Sequence, residues 1–330
     1  MNGIAKIQHY VPQFLLKNFG NGKKDQVHVF DKKTGKKFPT NIKNVASESR
    51  FYDFNIEGAE LTIEPSLSKI EANAKPILKK ILDEDSLKSI SREEKERLCS
   101  FLAIQFTRTR AFKEQFRALP EMLSEKLKEL GQTPEQHKSI AEFIRSPDEN
   151  ELKIQMIHMM KDAPSTFGPH FASKHWILIT TDGKNPFIIG DNPLAMQNTN
   201  NYSPYGNLGL AVQGIEIYLP LSPTRALAMW CPSITNQIEQ AVSTLNELRG
   251  RLPYLIDGRI ENPDYLEDLW SALSSGRPLQ YKHENVTNFN SLQVWFSERH
   301  VFSSSKDFEL AEKMVTEHPS SRNGPRPHLG

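Results

Sequence analysis

The feature that most constrains this chain is a change of period near residue 164. From residue 60 to about 162 apolar side chains recur at helical spacing, and beyond it they gather in short β-rich runs. Ile63, Leu67, Ile70, Ala74, Ile77, Leu78 and Ile81 recur three and four residues apart, which predicts a helix over 60–83. Pro65 fits only in its first turn, and Pro76 threatens a kink. Ser91-Arg92-Glu93-Glu94 reads as a capping box. It opens a long helix through Leu98, Phe101, Leu102, Phe112 and Phe116 to about Leu119, where Pro120 punctuates. Two or three more helices are expected between 121 and 162, with breaks near Gly131-Gln132-Thr133-Pro134 and Ser146-Pro147.

Strand patterns flank this section. Val27-His28-Val29-Phe30 and Lys37-Phe38 read as a hairpin around Gly35, and Phe51-Tyr52-Asp53-Phe54 as a short strand. His175–Thr180 and Phe187–Ile189 are strand-like; Ile215–Leu219 and Arg225–Trp230 are expected to pair around Pro220-Leu221-Ser222-Pro223. Residues 194–213 read as a loop. Helices follow near 233–250, 262–275 and 283–296, then a last strand at Arg299–Phe302 that returns to the sheet. This order is α+β: a helical section followed by a mainly antiparallel sheet with flanking helices, not an alternating βαβ fold. The expected organisation is one large domain over 1–318, helix-rich over 60–162 and sheet-rich over 164–303, with a disordered tail over 319–330.

Composition excludes more than it selects. A net charge of +1 over 330 residues, with 38% hydrophobic and 25% charged residues, gives no global pull toward nucleic acid or membrane. Residues 1–50 differ, since ten Lys or Arg against three acids give that segment +7. It reads either as a solvated lysine-rich hairpin or as a phosphate-facing patch. Cys99 and Cys231 lie far apart in apolar contexts and suit buried thiols in a reducing compartment. With neither a signal-type apolar run nor a membrane-length one, the expected location is cytoplasmic and no membrane partner is expected. GxGxxG, GxxxxGK[ST] and HExxH are absent.

Several polar residues fall where the period wants apolar ones. With Leu98 as zero, Gln105 projects at about 20° from the centre of its helix's apolar face, and Arg108 at about 80°. With Ile63 as zero, Glu71 lies near 80°, and Glu64 almost on the same line. A buried amide or guanidinium needs partners, so a Glu71–Arg108 or Glu71–Gln105 contact between antiparallel helices is expected, as a structural clasp or as the lining of a cleft. Asp191, in Gly190-Asp191-Asn192-Pro193, is placed by a strand end where a reacting residue is both fixed and accessible; an Asx turn before Pro193 is the structural alternative. Three roles are open to His9: a core histidine bonded through both nitrogens, a general acid or base, or a metal ligand. By ligand type, His9, Asp191 and Glu64 or Glu71 suit Mg²⁺ or Mn²⁺.

The opening His9-Tyr10-Val11-Pro12-Gln13-Phe14, followed by Leu15 and Asn18-Phe19, resembles the start of a mainly bacterial family, the domain-of-unknown-function family 4238. Glu64 of Ile63-Glu64-Pro65-Ser66-Leu67, Glu71, Gln105 with Arg108, Gly190-Asp191-Asn192-Pro193 and Leu219-Pro220-Leu221-Ser222-Pro223 are similar to it as well, so the resemblance covers roughly residues 8 to 300. It implies no particular reaction.

The expected function is a hydrolase acting on phosphate-containing substrates, specifically a nuclease on RNA or DNA in a toxin or phage-defence role. In it His9, Asp191, Glu71 and Arg108 are the catalytic set, and Gln105, Asn192, Gln13 and Glu64 contact substrate. Arg108 would grip phosphate, His9 would move a proton, and Asp191 would orient it or bind a divalent metal such as Mg²⁺. Two alternatives stand beside it. One is a non-catalytic protein that binds a nucleotide, ligand or partner in the same cleft, with residues 194–213 as a lid. The other is a polar set that merely organises the core. The single-site form of this reading expects His9, Glu71, Arg108 and Asp191 to converge.

Overall fold

The computed structural model describes residues 6–133, 147–202, 206–251 and 262–327. The chain opens with β1 (Ile7–His9) and α1 (Gln13–Lys17), then the hairpin of β2 (Gln26–Asp31) and β3 (Lys36–Asn41). β4 (Ser47–Ser49) turns back on β1, and β5 (Asp53–Ile56) and β6 (Ala59–Thr62) form a second hairpin. The helical section is α2 (Glu64–Glu84), α3 (Arg92–Thr107), α4 (Arg110–Glu129), α5 (Glu149–Thr166) and α6 (Gly168–Ala172). It is followed by β7 (His175–Thr180), β8 (Ile189–Gly190), β9 (Ala195–Gln197), β10 (Glu216–Ser222) and β11 (Arg225–Trp230). The rest is α7 (Pro232–Arg251), α8 (Pro263–Ser275), β12 (Leu279–Gln280), α9 (His283–Phe296), β13 (His300–Ser303) and α10 (Glu309–Glu317).

The fold is α+β, with antiparallel sheets and flanking helices. One sheet runs β12-β7-β11-β10-β9, antiparallel except where β12 joins β7 in parallel, and a second, antiparallel, runs β3-β2-β13-β8. The last strand thus returns not to the sheet of β7 but to the N-terminal hairpin. β2 buries Val27, Val29 and Phe30 and needs a neighbour on each side.

The strand period sets the layers. Leu178, Leu219 and Leu227 face a core shared with Tyr10, Leu16, Ile77, Phe101 and Met160, from the opening segment and α2, α3 and α5. Their neighbours Ile177, Ile179, Ala226 and Ala228 point the other way, onto Leu269 of α8 and Phe289 of α9.

Five expectations change. The long helix from Ser91 ends after Thr107: Arg108 still bonds back to the Ile104 carbonyl, the backbone turns extended at Thr109, and the Thr109 hydroxyl caps α4 by accepting from the Phe112 N–H. Pro120 then lies inside α4 rather than ending a helix. Pro220 and Leu221 belong to β10, which runs past a register shift to Ser222, and part of the expected 194–213 loop is β9. Residues 319–327 are not a free tail: Pro319–Arg322 form a 3₁₀ turn, Ser321 is buried, and Arg326 pairs with buried Glu298 through two 2.8 Å bonds. Residues 328–330, the expected breaks at Pro134 and Ser146, and part of the helices expected over 121–162 lie outside the described residues.

One of the basic residues counted in the +7 segment is interior. The Lys32 ammonium donates to the Val294 and Ser297 carbonyls at the C-terminus of α9, both at 2.6 Å, and burial pulls its pKa down to about 8. Beside it Asp31 ends β2 and takes the Arg299 guanidinium through Nε (3.2 Å to each oxygen) and Nη2 (2.7 Å). Burial opposes ionisation, but Arg299 and the Lys33 N–H outweigh it and hold the Asp31 pKa down to about 2. A depressed carboxylate stabilises above its unfolded pKa and loses that contribution as pH falls through the folded value. Asp31→Asn is therefore expected to cost about 2 kcal/mol at pH 7, the gap from wild type closing between pH 3.8 and about 2. Urea titrations at pH 7, 4 and 2 check this; an undiminished gap at pH 2 contradicts it.

Candidate functional site

The opening run is docked along its whole length. Gln8 is buried, accepts the Tyr52 N–H (2.6 Å) and donates to Asp53 Oδ1 (2.6 Å). Tyr10, Val11, Leu15, Leu16 and Phe19 are buried, and Asn18 donates to the Leu221 carbonyl. His9, between the buried Gln8 and Tyr10, is left on the surface of this segment.

Behind His9 sits Arg108, 1% exposed. Its guanidinium is used on three sides: Nη1 to Glu71 Oε1 (2.7 Å), Nη2 to the His9 carbonyl (2.5 Å) and Nε to Tyr52 Oη (3.2 Å). The Tyr52 hydroxyl in turn donates to the Arg108 carbonyl (3.2 Å), and burial raises its pKa to about 12. Arg108 thus clamps α2, the end of α3 and the opening strand together; of the two contacts the helical angles allow for Glu71, the one with Arg108 forms, while Gln105 turns to the Tyr10 carbonyl. It presents no free fork to a phosphate.

In front of the clamp is a groove of about 390 Å³ between α1 and α2, lined by His9, Gln13, Phe14, Lys17, Glu64, Ser68, Glu71, Ala72 and Lys75. The helix period builds its floor, because Glu64, Ser68, Glu71 and Lys75 repeat on one face of α2. His9 Nε2 donates to the Lys43 carbonyl (3.2 Å), which leaves Nδ1 unprotonated in the neutral ring, and Gln13 Nε2 reaches Nδ1 at 3.4 Å. Desolvation lowers the His9 pKa below its ordinary 6.5, against the opposing pull of the Lys43 carbonyl and Glu71. Burial raises the Glu64 pKa above 4.5, with Arg108 opposing and Glu71 assisting, and Glu64 Oε2 is buried without a hydrogen-bond partner.

The other expected site residues are elsewhere. Asp191 is fully buried and its oxygens are saturated: Oδ1 accepts the Glu298 N–H (2.6 Å), and Oδ2 those of Arg299 (3.0 Å) and His300 (2.9 Å). Asn192 accepts from the Thr109 hydroxyl (3.1 Å) and donates to the Phe296 carbonyl (3.2 Å). Gly190 lies so close to α9 that a Cβ there would meet the Gln293 carbonyl at 2.8 Å. The motif is a packing junction rather than a strand-end site. Gln105 is buried, donates to the Tyr10 carbonyl (3.0 Å) and does not line the groove. Of the expected set, His9, Gln13, Glu64 and Glu71 share the groove and Arg108 backs it. Asp191, Asn192 and Gln105 do not join them, and the suggested His9–Asp191–glutamate metal set is not assembled. Among the described residues no three His, Cys, Asp or Glu side chains gather as metal ligands.

Sequence reasoning missed Tyr52, Lys17, Ser68 and Lys75. The 64-68-71-75 spacing carries a readable signal for two of them; Tyr52 and Lys17 carry none. Among the described residues no helix is long and apolar enough to cross a membrane. No curated protein and no solved structure matches the chain. The model of the family described as a protein of unknown function, DUF4238, does match it, over residues 7–307, and the chain belongs to that family.

Proposed function

We propose that the groove between α1 and α2 is the active site of a hydrolase for phosphate-containing substrates, and that the substrate is RNA. One observation carries the reading: an imidazole kept neutral at pH 7 and a carboxyl held above its ordinary pKa line the same groove, as a base and an acid must. His9 Nδ1, once substrate displaces the long contact from Gln13, takes the proton of a ribose 2′-hydroxyl. O2′ attacks phosphorus, the bond from phosphorus to O5′ breaks, and protonated Glu64 supplies the proton to O5′. The first products are a 2′,3′-cyclic phosphate and a 5′-hydroxyl; water, giving its proton to Glu64, then attacks phosphorus, the bond to O2′ breaks, and His9 returns its proton to O2′, which leaves a 3′-phosphate and restores both groups. Lys17 and Lys75 on the groove hold phosphate as point charges, a part that saturated Arg108 does not play. The setting we attach to this activity is a toxin or phage-defence effector, by association alone.

Cleavage is expected to follow a bell whose acid limb, set by His9, lies below pH 6.5 and whose alkaline limb, set by Glu64, lies above pH 4.5. The rate rises as His9, with its pKa below 6.5, loses its proton, and falls as Glu64, with its pKa above 4.5, loses its own. His9→Ala and Glu64→Gln are each expected to lower the rate by about 10²–10⁴-fold and to abolish one limb of the bell. Assays on a fluorescent oligoribonucleotide, with EDTA and with Mg²⁺, test this; full activity in both variants sinks it. A second reading, a groove that binds a nucleotide, small ligand or partner without turnover, is favoured by the partners that both His9 ring nitrogens already have. Saturable thermal stabilisation by nucleotides without product would favour it.

A further inference from the structure

A second cavity, of about 450 Å³, shares no residue with the His9 groove. It lies among α3, the start of β7, α7 and α8, and its walls include Lys95, Lys174, Trp176, Glu239 and Trp270.

Its charge is out of balance. Lys174 is only 5% exposed, yet it lines the cavity, and no ion pair holds its ammonium among the described residues. Desolvation lowers its pKa, and the charged neighbour that bears on it is the Cys231 thiol, not a carboxylate. Lys95 repeats the pattern. Its ammonium sits 5.0 Å from the centre of the Trp176 ring and 3.4 Å from the Lys174 carbonyl, and desolvation lowers its pKa too, with only the Cys99 thiol opposing. Glu239 is exposed and shifts neither lysine. Partial desolvation of two ammonium groups that line one cavity, with no carboxylate beside either, favours an anion between them. Two indoles, Trp176 and Trp270, also line the cavity, Trp270 beside Leu273. Two ammonium groups seeking an anion and an indole in a space of this size define a ligand with a charged end and a flat body.

We propose that this cavity binds a nucleoside monophosphate, its phosphate on Lys174 and Lys95 and its base against Trp270. This site is independent of the acid–base chemistry assigned to the His9 groove.

Isothermal titration calorimetry of the full chain with AMP, adenosine and inorganic phosphate tests the assignment. AMP is expected to bind saturably and more tightly than either fragment, and to weaken as salt rises. Lys174→Met is expected to weaken AMP at least tenfold while its melting temperature equals or exceeds that of wild type, because a buried charge is replaced by an isosteric apolar chain. Trp270→Ala is expected to erase the preference for AMP over phosphate. Should Lys174→Met fail to fold, Lys95→Met, on a half-buried side chain, provides the same reading. Wild-type affinity in the folded lysine variant, or adenosine binding as tightly as AMP, overturns the anion site. Phosphate binding as tightly as AMP overturns the base assignment. Because His9→Ala leaves this cavity intact, AMP binding by that variant separates failure here from failure of the groove.

Discussion

Arg108→Met is expected to destabilise the protein by about 3–5 kcal/mol, read as the midpoint shift in urea denaturation. The side chain is 1% exposed and joins three segments that are distant in sequence: Glu71 on α2, the His9 carbonyl on the opening strand and the Tyr52 hydroxyl. Removing it leaves the Glu71 carboxylate unpaired in a partly buried position and the His9 carbonyl without its charged donor. Arg108→Lys is expected to recover little, because one ammonium on a flexible stem cannot satisfy directions that the planar fork meets at once. The size of the loss separates two roles. A residue whose purpose is to grip substrate phosphate is commonly dispensable for folding, and its loss appears in turnover alone. If Arg108→Met unfolds at the wild-type urea concentration but cannot cleave RNA, Arg108 belongs to the chemistry and the saturated clamp is misread. Glu71→Gln, alone and with Arg108→Met, gives the coupling between the two; as direct partners they are expected to show 0.5–3 kcal/mol of non-additivity.

This clamp was legible before any coordinates because helices are periodic. Glu71 and Arg108 each fall at the edge of an apolar stripe, on α2 and at the end of α3, and buried polar groups must meet partners. Glu64 was readable for the same reason, on the line of Glu71. The two larger sheets were partly readable: most strands showed as β-rich runs, but the short β9 and β12 did not, and the partition depends on which long-range pairing wins, β13 pairing with β2 across nearly the whole chain. Asp191 misled for a physical reason. A carboxylate after a strand looks the same in sequence whether water or three backbone N–H groups face it, and the donors here come from residues 298–300. Lys32 misled in the same way, since the carbonyls that draw it inward belong to the end of α9. Local pattern reports which side a residue faces. It does not report which distant backbone waits there.

The Asp191 account makes the second large prediction. Asp191→Asn, nearly identical in shape, is expected to cost about 3–5 kcal/mol. The carboxylate accepts at both oxygens, whereas an amide must turn its NH₂ either toward the Glu298 N–H or toward those of Arg299 and His300, so that donor faces donor. Burial raises the Asp191 pKa, with His300 and the backbone N–H groups opposing, so the neutral amide avoids a desolvation penalty; the orphaned donors must outweigh that relief. The damage should be local. Those three N–H groups lead into β13, which ties β2 to β8, so amide exchange is expected to quicken at Val29 and Phe302 while α2 and α3 keep their protection. RNA cleavage per folded molecule is expected to stay near wild type, because Asp191 does not reach the His9 groove. The opposite pattern, wild-type stability with lost turnover, would restore Asp191 as a reacting group and require that the N-terminus of β13 open during the cycle.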